Sequence, residues 1–200
     1  MQRSEYIGLH LCKKYNANLV VDEAHSTGSF GPKGAGLCVE LGLEKEIYAR
    51  IHTFGKAIGA HGACVAGSEI LKQYLINFSR QFIYTTSLPE HHLIVLEEIY
   101  KYLEVHSSEL QHKLKENINL FKQSIQAERI ESDTSIQAVL IPGNEKVSQV
   151  AQKMNEAGYD VRSVKSPTVP KGKERLRVCL HSFNTKEEIT GLCSKLNALL

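Results

Sequence analysis

Long apolar runs are missing from this sequence. Nowhere do about 18 apolar residues follow one another, so no membrane-spanning helix is expected. The opening stretch MQRSEYIGLHLCKKY also lacks the apolar core of a signal peptide. Charge of one sign is not in excess: 24 basic and 22 acidic residues leave a formal charge of +2. That balance gives no strong field for a phosphate backbone or an anionic bilayer, so neither nucleic acid nor membrane is expected as a partner. The five cysteines (Cys12, Cys38, Cys64, Cys179, Cys193) are odd in number and never form a C-x-x-C pair. They read as reduced thiols of a cytoplasmic protein, not as a disulfide frame or a zinc site. Repeats and low-complexity tracts are absent too.

What is present is patterned for a folded core, and 200 residues suffice for one large domain or two small ones. Residues 4–15 read as a helix with Ile7, Leu11 and Tyr15 at helical spacing. NLVVDEA reads as a buried strand closing on acids, and GSFGPKGAG (28–36) as a loop. IYARIHTF and GACVAGS supply two more strands, expected to pair in parallel, and 69–79 a helix. Ser87-Leu88-Pro89-Glu90 fits a capping box. It opens a helix to about residue 106 with Leu93, Leu96, Ile99 and Leu103 on one face. A separate helix over 108–127 carries Leu110, Leu114, Ile118, Phe121 and Ile125. An α+β pattern follows: strands at SIQAVLIP, YDVRSV and RLRVCLH, a helix over 145–157 closed by Gly158, and a final helix capped by Thr185 and Glu188. The expected class is α/β: a sheet domain over 1–88, a bridging helix over 89–106 and a small α+β domain over 107–200.

The letters Asp22-Glu23-Ala24-His25 also spell a helicase motif. That chemistry needs a phosphate loop, G-x-x-x-x-G-K-[ST], upstream of the acid, and none precedes Asp22. Gly55-Lys56 comes later and is followed by Ala57, and basic residues form no stripe. The motif is better read with its neighbours. Asp22 falls at the carboxyl end of a strand, where open α/β sheets hold ligands. His25 lies on the turn that follows, and Lys56 sits among Gly55, Gly59 and Gly62 just past the next strand. A half-buried lysine of lowered pKa forms Schiff bases. A carboxylate for a pyridinium nitrogen and a lysine for an aldehyde together suggest pyridoxal phosphate. Thr53, three residues before Lys56, can offer a hydroxyl to the phosphate. Taken singly, each has a plainer reading: Asp22 as a strand-end turn residue, His25 as a polar turn residue, Lys56 as a solvated cation.

Four stretches in order, VVDEAHSTGSFGPKGAG, HTFGKAIGAHGACVAGS, FIYTTSLP and PTVPKGKERLRV, resemble the α-oxoamine synthases, pyridoxal-phosphate enzymes of fold type I. The resemblance runs from about residue 12 to the end. It implies the C-terminal part of a type I large domain followed by a small α+β C-terminal domain, working as a homodimer. It implies that Lys56 carries the cofactor aldehyde, that Asp22 pairs with the pyridine nitrogen and that His25 meets the ring oxygen. Thr53 would bind the phosphate, with Thr85 and Thr86 reaching the phosphate of the neighbouring subunit. Arg177 would hold the amino-acid carboxylate. In RLRVCLH, Arg177 alternates away from Leu176, Val178 and Leu180, and its fork suits a carboxylate, although an exposed strand arginine is the plainer reading.

The implied reaction is a decarboxylative condensation of L-alanine with a pimeloyl thioester, on CoA or acyl carrier protein, with Lys56 as the base. Glycine with acetyl-CoA is the alternative within the family. Lys165, Lys171, Lys173 and Arg175 either meet the anionic carrier or line a solvated loop. His61 reads as a polar group near the site, and His91-His92 as helix-start residues without a ligand partner. Family members are much longer, and the part without a counterpart would precede residue 1. The sequence is therefore expected to be a C-terminal fragment whose first half folds poorly alone. The competing reading from another class is a non-catalytic remnant or interaction module that keeps the motif letters.

Overall fold

The computed structural model describes residues 2–200, with side chains from residue 8 onward. It divides into two compact units, one ending at Ser108 and the other Glu109–Leu200.

The first unit opens on helix α1 (Gln2–Tyr15) and a sheet of three strands, β1 (Val20–Asp22), β2 (Ala49–Thr53) and β3 (Ala63–Gly67), in that order. β1 pairs with β2 in parallel, Asp22 opposite Ile51. β2 and β3 pair antiparallel, His52 opposite Cys64. The expectation of parallel strands therefore holds for the first pair and fails for the second. Residues 54–62 are too few for the helical crossover that a parallel return needs. Burial departs from expectation as well: Val20 is 52% exposed and Val65 50%, because no described element covers them.

α1 packs through Leu9 against Cys38, Leu43 and Ile47, with Leu19 and Val21 of the strand region beside them. The anticipated stripe is not the packed one, since Leu11 and Tyr15 are exposed; the side chain of Ile7 lies outside the described residues. Two stripes were available on this helix, and the one carrying Leu9 met the sheet. Between β1 and β2, the glycine loop makes a turn of 3-10 helix at Pro32–Gly34 and runs into the one-turn helix α2 (Leu37–Glu40). After β3 comes α3 (Glu69–Phe78), whose first turn is capped by Ser68 accepting the Leu71 N–H, then α4 (Arg80–Ile83).

Helix α5 runs unbroken from Glu90 to Ser124. The expectation of one helix to about residue 106 and a separate one over 108–127 therefore fails. The segment holds neither glycine nor proline, and Ser107 is buried within the helix, so nothing stops the ladder there. Leu96 and Leu103 are buried in the first unit, whereas Leu93 is exposed.

The second unit is a four-stranded antiparallel sheet of order β4-β5-β7-β6, formed by β4 (Arg129–Ile130), β5 (Ile136–Leu140), β6 (Arg162–Val164) and β7 (Arg175–Cys179). Helices α6 (Asn144–Glu156) and α7 (Lys186–Asn197) complete it. Its core gathers Ile118 and Phe121 of α5 and Ile125 just after it with Val139, Leu176 and Val178 of the sheet, Met154 of α6 and Leu196 of α7. The foreseen stop and start signals work as their chemistry requires. Gly158 takes φ +88° after α6, and the Thr185–Glu188 capping box opens α7.

Candidate functional site

The parallel pair sets the site. β1 ends at Asp22 and β2 ends at Thr53, so both residues come to the carboxyl edge of adjacent parallel strands. The ladder extends one residue further, with Glu23 N–H donating to the Ile51 carbonyl at 2.8 Å. The segments leaving the two strands then touch. A Cβ on Gly28 would lie 3.3 Å from the Ala57 Cβ and 3.1 Å from the Ile58 side chain. The turn of His25 and the bend of Lys56 are thus neighbours, as the spacing suggested.

Asp22 is exposed, and one of its carboxylate oxygens accepts the Ala24 N–H at 2.8 Å. This bond fixes the side chain in an Asx turn at the strand end. His25 is exposed on the same turn. Thr53 is half-buried, and its hydroxyl oxygen is buried without a hydrogen-bond partner. A buried hydroxyl left unpaired costs free energy unless a ligand satisfies it. Lys56 is exposed, not the half-buried lysine that the Schiff-base reading called for. The glycines around it take away bulk, and bulk is what would have desolvated the amine.

Thr85 and Thr86 are exposed in the segment between α4 and α5, and the Thr85 hydroxyl donates to the Gln81 carbonyl. Arg177 belongs to the second unit. It is exposed on β7, between Ala138 of β5 and Arg162 of β6, while Leu176, Val178 and Leu180 are buried on the opposite face. Alternation along the strand therefore runs as its sequence indicated. In the first unit the rings of His61 and His92 lie 5.8 Å apart, and those of His91 and His92 4.3 Å. Among the described residues no group of three or more His, Cys, Asp or Glu could hold a metal ion. No helix among them is long and apolar enough to cross a membrane.

The sequence reading passed over Glu23, the second letter of the motif. It is 2% exposed. Its Oε1 accepts the Ser26 hydroxyl and the Cys38 N–H, each at 2.9 Å. Its Oε2 lies 3.5 Å from Arg50 and 3.8 Å from the His52 Nε2. The Thr27 hydroxyl reaches both the Glu23 carbonyl and His52 Nδ1, at 2.8 Å each. Burial pushes the His52 pKa down and the Arg50 charge pushes the same way, against the pull of Glu23. Both effects disfavour a charged ring, and Arg50 is the cation that faces the Glu23 carboxylate. One signal could have found Glu23: an acid next to a strand end, followed by small hydroxyl residues and by glycines that leave room for a carboxylate.

A family model described as "Aminotransferase class I and II" matches residues 6–196. An 8-amino-7-oxononanoate synthase of Emericella nidulans is 42% identical over 185 residues, covering 88% of this chain and 45% of that protein. A solved 8-amino-7-oxononanoate synthase from Francisella tularensis superposes with TM-score 0.81 at 28% identity, over 94% of this chain and 56% of the other. A serine palmitoyltransferase variant from S. paucimobilis, with bound PLP-myriocin aldimine, gives TM-score 0.86 at 26% identity, over 96% and 49% of the two chains. The chain spans about half the length of the curated relatives it matches.

Proposed function

This chain belongs to the aminotransferase class I and II family, and from that premise we propose that it contributes half of a pyridoxal 5'-phosphate site for 8-amino-7-oxononanoate synthesis. The observation that carries the reading is the shared carboxyl edge of β1 and β2, where Asp22 and Thr53 end adjacent strands and the Thr53 hydroxyl is buried without a partner. That orphaned donor fits a phosphate. A lysine and a carboxylate on neighbouring segments fit an aldehyde and a pyridine nitrogen. The names of the relatives supply the product, 8-amino-7-oxononanoate; the reaction proposed for it is decarboxylative condensation of L-alanine with a pimeloyl thioester, a step toward biotin.

When bound, the cofactor supplies an aldehyde that captures amines and a protonated ring that withdraws electrons from the α-carbon. Lys56 would hold that aldehyde, and its free amine would take the amino acid's α-proton at Nζ. Asp22, its orientation fixed by the Ala24 N–H, would face the ring nitrogen. His25 donates to the ring oxygen, and Thr53 donates its hydroxyl to the phosphate. Arg177 clamps the amino-acid carboxylate with its fork. In a homodimer, Thr85 and Thr86 serve the neighbouring subunit's phosphate. In this reading residues 1–88 belong to a cofactor-binding large domain, 89–106 to a bridging helix and 107–200 to a small α+β C-terminal domain.

The test is capture. The chain is incubated with pyridoxal 5'-phosphate, reduced with borohydride and mapped by peptide. Label concentrated on Lys56, and lost in Lys56→Ala, is the expected result. Label spread over the surface lysines would overturn the reading in favour of a non-catalytic module on the same fold. Assembled with whatever completes the site, a preference for L-alanine plus pimeloyl thioester over glycine plus acetyl-CoA would fix the member of the family.

A further inference from the structure

Among the described residues, the Glu23 carboxylate is the most enclosed charged group of the first unit, and the proposed chemistry does not use it. It lies where three segments meet. Its own turn carries Asp22 and His25. Its Oε1 holds the Cys38 N–H, which anchors the end of the glycine loop to that turn. Its Oε2 faces Arg50 and His52 of β2, the strand that delivers Thr53 and the bend of Lys56. The glycine loop is shaped around it: a Cβ on Gly36, at φ +104°, would lie 2.5 Å from Oε1. The Glu23 carbonyl adds a further tie, accepting the Ser26 and Thr27 N–H groups at 3.0 and 2.9 Å.

A buried carboxylate is costly unless it is paired and hydrogen-bonded. Here Oε1 is hydrogen-bonded to the turn and to Cys38, while Oε2, which accepts no hydrogen bond, is offset by the Arg50 charge of β2. We infer that Glu23 is the positioning residue of this site, a charged latch that sets the Asp22–His25 turn against the Thr53–Lys56 segment. This rests on the functional reading above for what the site binds. The latch itself rests on the contacts alone.

The isosteric Glu23→Gln keeps an acceptor for Ser26 and Cys38 but removes the charge facing Arg50. Glu23→Ala removes both. Three measurements on the full chain test the latch: amide hydrogen exchange, affinity for pyridoxal 5'-phosphate, and the visible absorbance of cofactor held on Lys56. Because charged hydrogen bonds in dry sites are the strong ones, Glu23→Gln is expected to weaken cofactor affinity about tenfold. Exchange at Ala24–Thr27 and at Thr53–Lys56 should speed up together, and the absorbance should shift as Asp22 moves relative to the ring. Strands β5 and β7 of the other unit serve as the internal control and should not change. Glu23→Ala is expected to go further in the same direction. Faster exchange with unchanged affinity and absorbance would make Glu23 merely structural and overturn the inference, as would no change in any readout. If the wild-type chain fails to hold the cofactor at Lys56, the functional reading falls. Exchange then decides the latch alone: coupled acceleration in the two segments supports it, and unchanged exchange overturns it.

Discussion

At the scale of single residues, the proposed site residues were legible as candidates where the chemistry calls for an uncommon type at a strand end. Asp22, Thr53 and Lys56 declare themselves because a carboxylate, a hydroxyl and an amine lie on segments that the strand order makes adjacent. Glu23 was not legible, because a buried acid and an exposed one are spelled alike. Its partners, Cys38 and Arg50, are distant in sequence and become neighbours only when the loop folds back. Lys56 shows the converse: a Schiff-base lysine was expected half-buried, and the folded chain leaves it exposed. The glycines of the loop carry the information that the acid lacks. Gly36 combines a positive φ of +104° with a carboxylate where its Cβ would stand. Gly36→Ala is therefore expected to destabilise the first unit by about 1–3 kcal/mol, from backbone strain alone before any displacement of Glu23. Urea denaturation followed by a probe in that unit measures it. A midpoint equal to wild type would mean that the loop relaxes freely and that Gly36 is not needed to seat the carboxylate.

At the scale of elements, helices and the strands of the second unit follow local signals, because caps, glycine stops and alternation act within a few residues. Strand direction in the first unit and the continuity of α5 depend on longer reach, and there the local reading failed. The two-residue strand β4 carries too little pattern to be noticed, yet it closes the edge of the sheet beside β5. One connection shows how an element is held by a charge that the pattern hides. Glu174, 2% exposed, accepts the Gly143 N–H at 3.0 Å and the Gly172 N–H at 2.9 Å. It thereby joins the turn before β7 to the start of α6. Those backbone donors, Gly143 first, hold its pKa below the usual glutamate value. A carboxylate depressed in the folded state stabilises above its unfolded pKa, and the contribution is lost as pH falls through the folded one. Glu174→Gln should therefore lower the melting temperature at neutral pH. The gap from wild type should narrow below about pH 4, where the unfolded glutamate titrates. Melting temperature against pH for both proteins decides it; a gap that stays constant to pH 3 would remove the charge from the account.

At the scale of the whole molecule, the two units differ in how much core each builds. The second gathers buried side chains from its sheet, from α6 and α7 and from the end of α5 around a fully enclosed Phe121. The cluster of the first is confined to Leu9, Cys38, Leu43 and Ile47, with partly buried neighbours. Large apolar side chains of the first unit meet solvent instead: Ile70 is 83% exposed, Tyr84 79%, Val105 75% and Phe78 67%. Apolar area left in water contributes nothing to folding, and contiguous patches of it favour association. Local opening should therefore cost least in the first unit. Native-state hydrogen exchange is expected to protect β5 and β7 well above β1 and β3, with the latter exchanging through partial opening at low denaturant. Phe121→Ala, at about 3–5 kcal/mol for a buried aromatic, should erase much of that difference by loosening the second unit. Equal protection of the two sheets in the wild-type chain would mean that the exposed apolar faces find cover in solution. The concentration dependence of exchange would then report whether a second copy provides it. Unequal protection has a functional consequence: the edge that carries Asp22, Thr53 and Lys56 would lie on the weaker unit, so a ligand that ties those strands together should stabilise the chain by binding only its folded form.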